Sequence, residues 1–134
     1  MILPNGTIVA VADGQSLALY RNKGTETQLD LVDMDEPKVE AGNAGSGGRH
    51  RNDSANPDGD RASEDAFAAG VADQLNRLAL DGTVSKLFVI ADPRTLGELR
   101  KHFHADLQGK LVGELAKNFA GRPLHEIAAA VQAA

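Results

Sequence analysis

Residues 86–101 read KLFVIADPRTLGELRK. The first six, KLFVIA, form a short apolar run too brief for a buried helix, which suits a strand covered on both faces. Asp92 follows as a helix cap, with Pro93 at the first helical position, where its missing N–H is no loss. Leu96, Leu99 and Phe103 then recur at helical spacing and line an inner face. A strand delivered by one helix and leaving into another belongs to a parallel pairing. Its partner has to be sought upstream.

The partner is TIVAVA, residues 7–12, the other β-branched apolar run of the chain. Asp13-Gly14 is a hairpin-turn dipeptide, and SLALYR (16–21) reads as the return strand, with Leu17 and Leu19 alternating against Ala18 and Tyr20. Asn22-Lys23-Gly24 turns the chain again. QLDLVDM (28–34) gives a third strand with Leu29 and Leu31 on one face. Ser63 reads as a helix N-cap with Glu64 and Asp65 in the first turn, where the helix dipole favours acids. Phe67, Val71, Leu75 and Leu78 make that helix's buried face, and Asp81-Gly82 ends it. A strand after such a crossover helix lies parallel to its neighbour, here the first strand. GKLVGELAKNFAG (109–121) fits a helix through Leu111, Leu115 and Phe119, and also permits a strand; local pattern alone leans to helix. PLHEIAAAVQ (123–132) is a last helix burying Leu124, Ile127 and Val131. The order matches a ribonuclease-H-like α/β fold with a mixed sheet, in one domain spanning 1–134.

Between the third strand and the first long helix lies NAGSGGRHRNDSANPDGDRAS, residues 43–63, with four glycines, three arginines, three aspartates and no large apolar residue. It cannot join a core, and loops beyond about 12–15 residues are functional or disordered. The segment 41–63 is therefore expected to be a flexible loop.

Composition sets outer limits. The chain has no cysteine, which removes disulfides, thiolate zinc sites and a Cys nucleophile. His50, His102, His104 and His125 are too scattered to suggest a metal cluster. The start, MILPNGTIVA, has neither the charged region nor the apolar stretch of a signal peptide, and no run approaches the roughly 20 residues of a membrane span. The expectation is a soluble, cytoplasmic protein without membrane insertion, metal or cofactor. The formal charge is −5, against a wide face for DNA or other nucleic acid. Local positive charge is confined to the loop arginines Arg49, Arg51 and Arg61 and to the group Arg94, Arg100 and Lys101. Arg51 and Arg61, with Arg94, Arg100 and Lys101, are the candidate contacts for RNA or a partner, and a group such as the last three is more often a solvated helix face. Asp13, Asp33 and Asp92 sit near strand ends, where a two-metal nuclease needs carboxylates. Asp13 and Asp92, however, already have structural work in a turn and a cap.

The run KLFVIADPRTLGELRKHFHADLQGKLVGELAKNFAGRPLHEIAAAV (86–131) resembles the C-terminal half of the bacterial host attachment family, proteins required for attachment to host cells. NGTIVAVADGQSLALYRNKG resembles that family's N-terminal hairpin. The family in turn resembles the middle domain of archaeal and eukaryotic peptide-chain release factors. There, a long loop after the third strand carries a Gly-Gly-Gln tripeptide into the peptidyl transferase centre. Here Gly47 and Gly48 match the two glycines and Arg49 stands in place of the glutamine. Paired glycines let the backbone approach a substrate closely and aim an N–H at developing charge. Arginine keeps that N–H and replaces the amide with a longer cation, so the resemblance implies no efficient peptidyl-tRNA hydrolysis. Arg49 and Arg51 can still meet phosphates. The resemblance thus implies either an indirect role in attachment through protein partners, or a partner in the ribosome or tRNA. It also implies a fifth strand at Leu111–Leu115, against the local helical pattern.

Overall fold

The computed structural model describes residues 3–34 and 57–134, with side chains from residue 62 in the second stretch. The two apolar runs pair as the sequence requires. Strand β1 (Ile8–Ala12) lies antiparallel to β2 (Leu17–Asn22) and parallel to β4 (Leu87–Ala91), with Ile8 opposite Leu87 and Ala12 opposite Ala91. Strand β3 (Leu31–Asp33) pairs antiparallel with β2, and β5 (Leu111–Ala116) pairs parallel with β4. The sheet is mixed and five-stranded, in the order β3-β2-β1-β4-β5.

Every residue of β1 and β4 is buried, because helices cover both faces of the sheet. Ile8, Ala10, Ala12, Leu87 and Val89 pack with helix α1 (Pro57–Leu80), α2 (Pro93–His102) and the short α3 (Ala105–Gln108), through Val71, Leu75, Leu96, Leu99 and Leu107. Val9, Val11, Phe88 and Ile90 pack on the opposite face with Ile127 and Val131 of α4 (Leu124–Ala133). Truncating a fully buried ring such as Phe88 to alanine costs about 3–5 kcal/mol. Among the described residues no helix is long and apolar enough to cross a membrane.

Three elements differ from the sequence reading, and a fourth, left ambiguous by local pattern, follows the resemblance. Helix α1 begins at Pro57, not after Ser63, so residues 57–63 of the segment read as loop are helical. Proline suits the first helical position, and that signal outranks a serine one and a half turns later. Strand β3 starts at Leu31 rather than Gln28 because Asn22 captures the preceding turn. Its fully buried side chain donates from Nδ2 to the Leu3 carbonyl (2.9 Å) and accepts at Oδ1 from the Gly24 and Asp30 N–H groups (2.9 and 3.0 Å). Residues 105–108 form a turn of helix the pattern did not suggest. Residues 111–116 form a strand, as the family resemblance implied. Leu111 and Glu114 face the α2 side, while Val112 and Leu115 join the α4 side. Val112 is skipped in the register, since Leu87 pairs with Leu111 and Phe88 with Gly113, a one-residue bulge that lets one strand serve both faces. The open edge of β4, with its row of backbone groups needing partners, outweighs a marginal helical pattern.

Candidate functional site

Strands β1, β4 and β5 all end at one edge of the sheet. Strand β3 is antiparallel to β2, which is antiparallel to β1, so β3 also runs toward that edge. Its exit is tied to β2 by the Met34 N–H, which donates to the Leu19 carbonyl at 2.9 Å, level with Ala10 midway along β1. The early turns of α1 reach the same edge, where Glu64 packs over Gly14 of the β1–β2 turn. A Cβ on Gly14 would lie 2.7 Å from Glu64 Cγ, so glycine here serves close approach. The chain between β3 and α1 thus leaves β3 midway up the sheet, heading toward the C-terminal edge of the parallel strands, and α1 resumes at that edge. Gly47, Gly48, Arg49 and Arg51 fall in that segment, outside the described residues, as does the expectation that it is flexible. Arg61 lies in the first turns of α1, its side chain likewise outside them.

The carboxylates at this edge are held in the architecture. Asp13 Oδ1 accepts from the Gln15 N–H (2.8 Å), the Ser16 N–H (2.7 Å) and the Ser16 hydroxyl (2.9 Å), which closes the hairpin. Asp92 caps α2 by accepting from the Thr95 N–H at 3.1 Å. Asp33 is on β3, two strands from β1, hence about 10 Å away across the sheet. The three do not converge. Among the described residues no group of three or more His, Asp or Glu side chains is arranged to hold a metal ion. His102 ends α2 and His104 precedes α3, while His125 lies in α4 on the opposite face of the sheet.

The cations of α2 each have an acid. Arg94 Nη2 donates to Asp65 Oδ1 at 2.7 Å, with Glu64 at 3.8 Å. Arg100 meets Glu114 of β5 through Nε (3.0 Å) and Nη2 (2.5 Å). Hydrogen bonding and then charge attraction from Glu114 raise the pKa of Arg100. Lys101 pairs with Glu98 at 2.7 Å, and its pKa is raised first by that hydrogen bond and then by the same carboxylate's charge. The structure therefore distributes Arg94, Arg100 and Lys101 among three separate ion pairs. Exposed pairs of this kind are screened by water and salt and add little to stability. Among the described residues around the ends of β1 and β4, Arg94 is set against Asp13, Glu64, Asp65 and Asp92, a net acidic balance.

Sequence reasoning missed Asn76. It is buried at 3% exposure and joins α1 to the bend between α2 and α3. Its Nδ2 donates to the His102 carbonyl and its Oδ1 accepts from the His104 N–H, both at 2.9 Å. An asparagine among the apolar positions of a helix face is the signal that pointed to it. The Gly14–Glu64 contact left no such trace, because Asp-Gly already explained itself as a turn. Two shallow depressions lie away from this edge's centre. One of about 410 Å³ is floored by Ala129, Ala130 and Ala133 of α4, and one of about 540 Å³ lies beside the 24–30 turn.

The family whose model matches this chain is described as "Bacterial archaeo-eukaryotic release factor family 12"; the match spans residues 6–131. No curated protein matches the chain.

Proposed function

The chain belongs to bacterial archaeo-eukaryotic release factor family 12, and from that premise we propose that it meets the ribosome or tRNA through the segment between β3 and α1, without hydrolysing peptidyl-tRNA. The observation that carries this reading is geometric: β3 runs toward the edge of the sheet at which the early turns of α1 lie, so that both ends of the segment open on the same end of the molecule. Gly47 and Gly48 supply the backbone freedom for close approach at the tip. Arg49 replaces the amide that would admit and orient water with a cation suited to phosphate. The acids described around the ends of β1 and β4 disfavour a polyanion, and Arg100 and Lys101 are already paired with carboxylates, which leaves contact to the Gly47-Gly48-Arg49 segment in this reading. With only Arg49 and Arg51 reaching phosphates, log K against log salt should have a slope of about −1.5, far shallower than that of a broad basic face.

Co-sedimentation with ribosomes at low and moderate salt tests the reading, comparing the intact chain with one carrying a Gly/Ser linker at 43–60. Loop-dependent association is expected. Absence of the intact chain from the ribosomal fraction would overturn it. In a peptide-release assay the protein should be inactive; release abolished by Gly48→Ala would show that hydrolysis survives the glutamine-to-arginine change.

A second reading rests on the resemblance of residues 86–131 to host attachment proteins. In it the domain supports bacterial attachment to host cells indirectly, through a cytoplasmic protein partner. A deletion strain that loses attachment while the purified protein ignores ribosomes would favour it.

A further inference from the structure

Helix α1 is longer than the core needs. Its 24 residues span about 36 Å. Ala62 and Ser63 are exposed, Glu64 through Phe67 are half-buried, and the first buried residue of the described side chains is Ala68. The helix meets the hairpin turn at Glu64, so residues 57–63 add about 10 Å of helix N-terminal to that contact. Among the described residues this end is held by the Gly14–Glu64 approach and by the Arg94 ion pair with Asp65 and Glu64. Arg94 is well placed for this. It follows Pro93 in the first turn of α2, and Asp92 and Pro93 fix that turn. Its guanidinium is therefore presented from a rigid base to the side of α1.

We propose that residues 57–66 of α1 form a helical stalk that carries the returning end of the β3–α1 segment, and that Arg94 is the positioning residue that clamps the stalk against α2. The functional consequence rests on the reading given above; the mechanical one does not. The clamp is electrostatic and partly solvated, with side-chain exposures of 37% for Arg94 and 27% for Asp65. It therefore loosens with salt, while the apolar packing from Ala68 onward does not. Lys101 is a second cation close to Asp65, whose charge adds to the upward shift of its pKa, so removing Arg94 weakens the clamp without leaving Asp65 alone.

Hydrogen exchange read by mass spectrometry on the whole protein tests this. The amides of 61–66 report on the stalk, because the first four N–H positions of any helix lack intrahelical acceptors. Arg94→Gln should speed exchange at 61–66 about fivefold, the factor that corresponds to about 1 kcal/mol of local stability, and leave 70–79 unchanged. Arg94→Lys should restore part of the protection. Salt at about 0.5 M should speed 61–66 in the natural protein and have little further effect in Arg94→Gln. Asp65→Asn gives an independent break of the same pair. Unchanged exchange at 61–66 in both variants would overturn the proposal. So would an equal rise at 70–79, which would mark Arg94 as a general stabiliser. Failure of ribosome association in the natural protein would sink the translation reading and leave the clamp standing.

Discussion

Asn22→Ala is the substitution with the most direct consequence for the fold. The side chain is fully buried at the end of β2 and makes three short hydrogen bonds: one donated to the Leu3 carbonyl and two accepted from the Gly24 and Asp30 N–H groups. Alanine removes all three. The Leu3 bond is in the interior, and its loss leaves a carbonyl that water cannot reach. The other two groups are partly buried, so water replaces the amide in part. At about 1 kcal/mol for each bond, the sum is about 3 kcal/mol. A chain of 134 residues has an unfolding entropy of about 0.28 kcal/mol/K, from about 2.1 cal/mol/K per residue, so Tm should fall by about 10 °C. Urea unfolding followed by circular dichroism should show a midpoint lower by about 1.5–2 M with an unchanged slope. Asn22→Asp separates the contributions. It keeps both accepted bonds but places a carboxylate oxygen against the Leu3 carbonyl, so it should be more damaging at pH 7 than at pH 4. A fall in Tm below about 3 °C for Asn22→Ala would refute the reasoning. The turn would then be held by its backbone bonds alone, Lys23 N–H to the Asp30 carbonyl and Thr25 N–H to the Gln28 carbonyl.

Asp92→Ala should cost about 1 kcal/mol, or about 3–4 °C in Tm, by removing the cap on α2, while Asp92→Ser should recover most of it. Gly14→Ala should displace Glu64 and lower Tm, and the double change with Glu64→Ala should restore it; a double variant no better than the single would mean that the hairpin backbone itself is strained. Asp81 accepts from the Thr83 N–H just beyond α1, and hydrogen bonding to Thr83 holds its carboxyl below the ordinary aspartate range. A depressed pKa contributes stability above the unfolded-state value and loses it as pH falls through the folded one. The Tm gap between the natural protein and Asp81→Asn should therefore shrink from pH 7 toward pH 3. Lys101 has the opposite sign: its raised pKa means that its contribution is present at neutral pH and fades as the ammonium deprotonates in strong alkali, so Lys101→Gln should narrow its Tm difference there.

Much of this architecture was legible in the sequence because local chemistry and burial agreed. Two apolar runs, TIVAVA and KLFVIA, can only be strands covered on both faces, and Asp13-Gly14, Asp92-Pro93 and Asp81-Gly82 mark their ends by turn and cap chemistry that acts over a few residues. Gly82 does so through its backbone, at φ 88°. The sequence also placed the Gly47-Gly48-Arg49 segment between a strand and a helix, the elements that became β3 and α1. What only the tertiary structure decided are relations between residues far apart in the chain. Residues 111–116 are a strand because β4 offers an edge, not because their own pattern prefers one. Asn22 and Asn76 are polar residues inside the fold because distant backbone groups need partners there, 19 residues away for Asn22 and the Leu3 carbonyl and 26 and 28 residues away for Asn76. Arg94, Arg100 and Lys101 read as one basic group along seven or eight residues of chain, yet helix geometry and the facing carboxylates of α1, α2 and β5 resolve them into separate pairs. Charge is a property of sequence; whether it is free to meet a partner depends on what the fold sets opposite it.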